Sequence, residues 1–302
     1  MATARSNKAS KAADAAIEKT IADGEKAILR TLKAALKSMR AEMANIYAIY
    51  AIDGKLTKAQ MTQYNRLVSL ESKMMKKLSP AIRATLKDID RIPPEAYDAG
   101  YFRSAWAIDA GNGIALNWGN FDIDQVAASL ANQYTALAKN DYAESAIKYI
   151  RKAIARGLAI GKSYKDMSKD LADALNIIGY KATRIARTEG QRAANAGRVK
   201  AYADAEEQGA NGVYVWQASL DDRTRDTHRE LDDVARRADE FFDVGGSPAK
   251  YPCAESLPPE ESINCRCRVA FEVDGNSPII RRSKEDGVIP YMDYNAWEAA
   301  RG

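Results

Sequence analysis

The sequence has a single histidine, His228, and only three cysteines, Cys253, Cys265 and Cys267. One imidazole excludes any chemistry that needs several, so acid–base work at neutral pH would have to rest on His228. An odd, small number of cysteines argues against a disulfide framework and for a reducing compartment. No uninterrupted apolar run approaches the length that spans a bilayer. The opening MATARSNKASKAADAAIEK is basic, but no apolar stretch follows it, so it does not read as a secretory signal. Charge of one sign is not in great excess either. The net charge of +4 is too mild to imply nucleic-acid binding by itself. Two glycine-bearing stretches fail as phosphate loops. "GNGIALNWGNFD" (111–122) has no preceding strand and no third glycine in register, and "GKS" (161–163) lacks the required upstream glycine.

What is present is helical patterning. Ile21, Ile28, Leu32, Ala35, Met39, Met43, Ile46 and Tyr50 recur at steps of three, four or seven, which predicts a long helix over 15–50 with one narrow apolar stripe. Asp53-Gly54 marks a turn, and Thr57 is placed to cap the next helix. Leu67, Leu70, Met74 and Leu78 continue the pattern. Ser79-Pro80 is expected to end one helix and start another, and "IPPEAY" (92–97) to end that one. Helical patterning resumes over about 124–156, with a break expected near Asn140-Asp141. Ser163 with Asp166 resembles a helix cap, followed by a buried face of Met167, Leu171, Leu175 and Ile178. A separate helix is expected over 181–208. Residues 1–90 are basic and the remainder mildly acidic.

The character changes at Asn211-Gly212. "VYVWQAS" (213–219) reads as a strand, Asp222–Ala238 as a polar helix, and "CRVAFEV" (267–273) as the best of several short strands. The last thirty residues read as an extended tail with a weak helix at "NAWEAAR". The expected fold class is mainly α with a small α+β C-terminal domain, and a long N-terminal helical hairpin or bundle. The expected segments are a basic helical domain (1–110), a helical middle region (111–210), a small α+β module (211–275) and a tail (276–302).

All three cysteines and the sole histidine fall between 228 and 267. Thiolates and a neutral imidazole suit zinc. On an extended segment, residues two apart share a side, so Cys265 and Cys267 could converge while Arg266 faces away. His228 would supply a third ligand, and Cys253 or a carboxylate such as Asp222 a fourth. Inert buried thiols and redox or disulfide behaviour stand beside this reading, because C-x-C is not a standard zinc spacing. "SLDDRTRDTHRE" (219–230) places Asp221 or Asp222 as a helix cap, with Thr224 one turn before His228. In "ARTEGQRAAN" (186–195), Arg187, Glu189 and Asn195 either pair with the later segment or face solvent.

"IARTEGQRAANAGRVKAY", "VWQASLDDRTRDTHREL" and "NCRCRV", in that order, resemble the phage Mu F-like minor head protein family. Arg187, Thr188, Glu189 and Asn195 match the first motif. Trp216, Leu220, Asp221, Arg223, Thr224 and His228 match the second, Phe242 and Pro252 fall between, and Asn264, Cys265, Arg266 and Cys267 match the last. The resemblance spans about residues 150–273. Cys253 stands where the family pattern has a small residue. The resemblance implies a non-enzymatic virion protein of the capsid interior, assembled in the host cytoplasm. Its implied partners are the portal protein and other capsid or scaffolding proteins, with non-specific DNA contact and no membrane. Its implied role is in procapsid assembly, genome packaging or DNA delivery. A metal-dependent nuclease or toxin-like effector is the rival expectation, and structural zinc the one cofactor considered.

Overall fold

The computed structural model describes residues 2–112, 115–119, 133–274, 280–283 and 287–290, with single positions at 292, 296 and 299. The protein is mainly α, with a small C-terminal region of antiparallel strands. The first helix, α1, runs Ala2–Tyr50. A turn follows, then α2 (Lys58–Thr62), α3 (Arg66–Asn112), α4 (Gln133–Ala159) and α5 (Tyr164–Glu207). Strand β1 (Gly212–Gln217), the short helix α6 (Asp226–Arg229), β2 (Ala235–Arg236), β3 (Phe242–Val244), β4 (Ser247–Ala249), α7 (Pro259–Ser262) and β5 (Arg268–Val273) complete the module. A hairpin of β6 (Ile280–Ser283) and β7 (Gly287–Pro290) ends the described chain.

The residues group into two compact units. Unit 1 comprises residues 1–22, 92–132 and 187–302; unit 2 comprises 23–91 and 133–186. Unit 2 is built from apolar stripes. Ile28, Leu32, Met39 and Met43 of α1, Leu70, Met74 and Leu78 of α3, Ile150, Ile154 and Leu158 of α4, and Met167 and Leu171 of α5 are all buried. Each such side chain contributes about 2 kcal/mol by leaving water. Thr57 caps α2 in a reciprocal capping box with Gln60, and Ser163 accepts from the Asp166 N–H at the start of α5. The turn after α1 is tied down where Leu56 N–H and Tyr47 Oη both donate to the Lys162 carbonyl.

Several expected helix ends are absent. Pro80, Pro93 and Pro94 lie inside α3, Asn140-Asp141 inside α4, and the separate helix expected from residue 181 is the continuation of α5. A proline removes one ladder hydrogen bond, but here burial on either side outweighs that loss: Leu78 and Ile82 flank Pro80, and Ile92 and Ala96 flank the Pro93-Pro94 pair. Gly179 is retained as a close approach, since a Cβ there would crowd Leu29. The tail is not simply extended, because β6 pairs with β7. Most of "NAWEAAR" and residues 120–132 lie outside the described residues.

Unit 1 packs the module against the 187–207 stretch of α5. The sheet order is β2-β1-β5, all antiparallel, with Trp216 opposite Val269 and Tyr214 opposite Phe271. Tyr202 of α5 stacks on Phe271 at 5.1 Å between ring centres. Two glycines let helices touch within this unit. A Cβ on Gly197 would collide with the Tyr97 carbonyl, and one on Gly100 with the Ala194 carbonyl.

Candidate metal centre

The site begins on β1. Trp216, fully buried, sets its ring edge-on to the His228 imidazole at 5.4 Å and packs also on Phe242. His228 stands on α6, which is only one turn long. The expected helix over 222–238 fails on both sides. Asp221 and Thr224 make a tight turn before it, and Asp233 takes a left-handed backbone (φ 68°) after it. The chain then pairs as β2 on β1. On the other side of the imidazole lie Cys265 and Cys267. They sit just before β5 rather than in it. The Cys267 carbonyl accepts from Gln191 Nε2 (2.9 Å) and Asn195 Nδ2 (3.2 Å) of α5 instead of from a strand neighbour. The two-residue alternation survives: both thiols are buried, while Arg266 turns away to Asp221 at 2.7 Å.

His228 Nδ1 lies 3.4 Å from Cys267 Sγ and 3.5 Å from Cys265 Sγ. The three ligand atoms all fall within 4.8 Å of one another. Tetrahedral zinc, with Zn–S of about 2.3 Å and Zn–N of about 2.0 Å, holds nitrogen and sulfur about 3.5 Å apart. The imidazole is oriented from behind. Its Nε2 is 2.9 Å from Glu261 Oε2, and Thr227 Oγ1 donates to the same oxygen at 3.0 Å. A carboxylate there fixes the proton on Nε2 and leaves the Nδ1 lone pair facing the sulfurs, the arrangement that supports metal-bound histidines. Hydrogen bonding with Cys253 pushes the Cys265 thiol well above its ordinary range, and hydrogen bonding with Cys265 together with burial does the same for Cys267. A soft divalent cation would reverse that balance, because thiolates are what it binds.

Cys253 and Asp222 stand outside the group of three. Asp222 is exposed. Cys253 is buried, adopts φ 65°, and donates to the Ser262 carbonyl at 3.5 Å. All three thiols are free.

The motif on α5 braces this assembly. Thr188 Oγ1 accepts from Asn264 N–H, holding the left-handed turn before Cys265. Glu189 pairs with Arg192, and Arg192 Nε donates to the Cys253 carbonyl at 2.8 Å. Asn195, fully buried, donates to the carbonyls of Pro252 and Cys267 and accepts from Val269 N–H and Arg198. Arg187 is half-buried, and Arg223 lies 3.8 Å from Asp221 with most of its side chain in solvent. Sequence reasoning missed Gln191, Arg192, Arg198 and Glu261. The first three lie in or beside the quoted α5 motif, at three- and four-residue steps from Thr188 and Asn195. Glu261 lies just before the quoted NCRCRV motif. A further element is Asp14, from the start of the chain, which bridges Arg198 (2.9 Å) and Arg268.

A family model described as phage Mu protein F like protein matches residues 148–270, which contain every one of these motif residues. The minor head protein GP7 of Bacillus phage SPP1 is 30% identical over 294 residues, covering 94% of this chain and 95% of that relative. The chain belongs to the phage Mu F-like family. Other relatives share part of their length with this Mu F-like chain. The NAD(+)–arginine ADP-ribosyltransferase EFV of Enterococcus faecalis is 30% identical over 228 residues, 74% of this chain but 46% of that protein. An uncharacterized protein of Haemophilus influenzae is 28% identical over 169 residues, 56% of this chain and 31% of its own length. No solved structure matches.

Proposed function

We propose that this chain is a phage minor head protein. It acts inside the capsid with the portal protein and other capsid or scaffolding proteins, in procapsid assembly, genome packaging or DNA delivery, and touches DNA without sequence preference. One observation carries the reading: the similarity to a minor head protein runs end to end through both chains, not through one shared module. No helix among the described residues is long and apolar enough to cross a membrane. Within this reading, His228, Cys265 and Cys267 hold a structural zinc ion that fastens α6 to the start of β5, with Glu261 orienting the imidazole. The donor set and its spacing support zinc, and a short-stranded module gains most from such a fastener.

A metal-dependent nuclease is the weaker reading. It needs a coordination position open to water, whereas His228, Cys265 and Cys267 are 1%, 3% and 2% exposed. The transferase named among the relatives is more than twice as long as the part it shares, so its activity belongs to that whole protein. Mass-spectrometric inventory of purified procapsids and mature particles tests the role. The chain should be found in both at low copy, and its absence from both would overturn the proposal. Elemental analysis of the purified protein should find one zinc per chain. DNA cleavage abolished by His228→Ala in a folded protein would favour the nuclease instead.

A further inference from the structure

The two units carry opposite charge. Unit 2 holds 24 Lys and Arg against 12 Asp and Glu, a net +12, while unit 1 holds 21 against 29, a net −8. The mild total of +4 conceals this division. Within unit 2 many carboxylates are already spoken for. Asp90 pairs with Lys139, Asp141 with Lys181, Asp170 with Lys162, Glu42 with Lys73 and Asp88 with Arg91. What remains is a set of exposed cations with no ion-pair partner among the described residues: Lys76, Arg83 and Lys87 on α3, and Lys148, Arg151 and Lys152 on α4. At 100° per residue, Lys76, Arg83 and Lys87 fall within about 40° of one line along α3. An open groove lies between the two helices; Lys76, Arg83 and Arg151 line it against a single carboxylate, Glu71, and its apolar lining comes from Val68, Met75 and Pro80.

We infer that this groove is the surface through which the protein grips the backbone of duplex DNA. The inference deepens the DNA contact in the proposed function and rests on that reading. Cations repeated every one or two helical turns match a chain of phosphates, and releasing counterions from the phosphates drives such binding. No aromatic side chain lines the groove, so stacking on unpaired bases, the mark of single-strand binders, has no platform there.

The test is fluorescence anisotropy with the purified full-length chain and a 30-bp duplex between 50 and 200 mM NaCl. The variant K76Q/R83Q/K87Q/R151Q is compared with a control that removes as much charge from unit 1, K8Q/K11Q/K19Q/R103Q. The groove variant should bind at least ~100-fold more weakly at 100 mM salt, and the slope of log K against log salt should shrink by about 3–4. The control should stay within about twofold of wild type. Equal losses in the two variants would reduce the effect to net charge and overturn the inference. So would no binding by wild type, tighter binding to single strands, or equal binding to polyglutamate. A chain found in particles that fails on DNA would defeat this inference together with the proposed DNA contact, and leave the role as a minor head protein standing.

Discussion

The two units bury different things. Among the described residues, twelve buried polar or charged side chains lie in unit 1, Asp14, Glu189, Arg192, Asn195, Arg198 and His228 among them, and two, Thr85 and Thr183, in unit 2. Unit 2 is held by stripes of Leu, Ile, Met and Ala, where volume and periodicity decide the fold. Unit 1 is held by partners that must each be met, because an orphaned buried charge costs far more than a misfit methyl. The lesson is that tolerance should differ along one chain: unit 2 forgives changes of shape, and unit 1 does not forgive changes of partner.

The largest effect should come from Asp14→Ala. It strands Arg198 and Arg268 without their shared carboxylate, and should cost ~3–5 kcal/mol of unfolding free energy in urea titration. A loss under about 1 kcal/mol would show that the buried network contributes little. Chelation comes next. With the proposed zinc bound at some hundredfold its Kd, its removal by EDTA should cost unit 1 about 3 kcal/mol. In hydrogen exchange, amides of β1, α6 and β5 should lose protection while α4 keeps its own. Gly197→Ala drives a methyl into the Tyr97 carbonyl and should cost about 1–3 kcal/mol. Met43→Leu, in the buried stripe of unit 2, should cost less than about 1.5 kcal/mol. A penalty for Met43→Leu as large as that for Gly197→Ala would erase the contrast between the units.

The smallest effect concerns pH. Burial, with the nearby Asp233 charge second, pushes the Glu272 carboxyl on β5 up to about 7. The unfolded chain then ionises before the folded one as pH rises. Glu272 therefore costs nothing below its unfolded value, and the cost accumulates up to about pH 7. Discounted for its solvent exposure, the full cost is about 1 kcal/mol. Glu272→Gln should raise Tm by ~2 °C at pH 8 and leave it unchanged at pH 4. Equal shifts at both pH values would assign the effect to packing.

Unit 2 was legible because its information is local. The stripe from Ile28 to Ile46, the Thr57 cap and the Ser163 cap all follow from spacing within one or two helical turns. Helix ends were misread where local rules met tertiary burial: Pro80 and Pro93 are breakers by propensity, and packing overrides them. In unit 1 the His228, Cys265 and Cys267 constellation was visible from residue type alone. Its supports were not, because nothing in sequence links Asp14 to Arg268 across 254 positions, or distinguishes Glu261 from its neighbour Glu260.

Asn195 reaches three separated backbone positions, at 252, 267 and 269. A single carboxamide thus serves as a gauge block for two stretches of chain that reach it by unrelated routes. The length of the excursions between them is free to drift, since only the points of arrival are measured. Insertions after Ala238 should therefore be absorbed at the periphery, while the spacing of 267 and 269 admits no change at all.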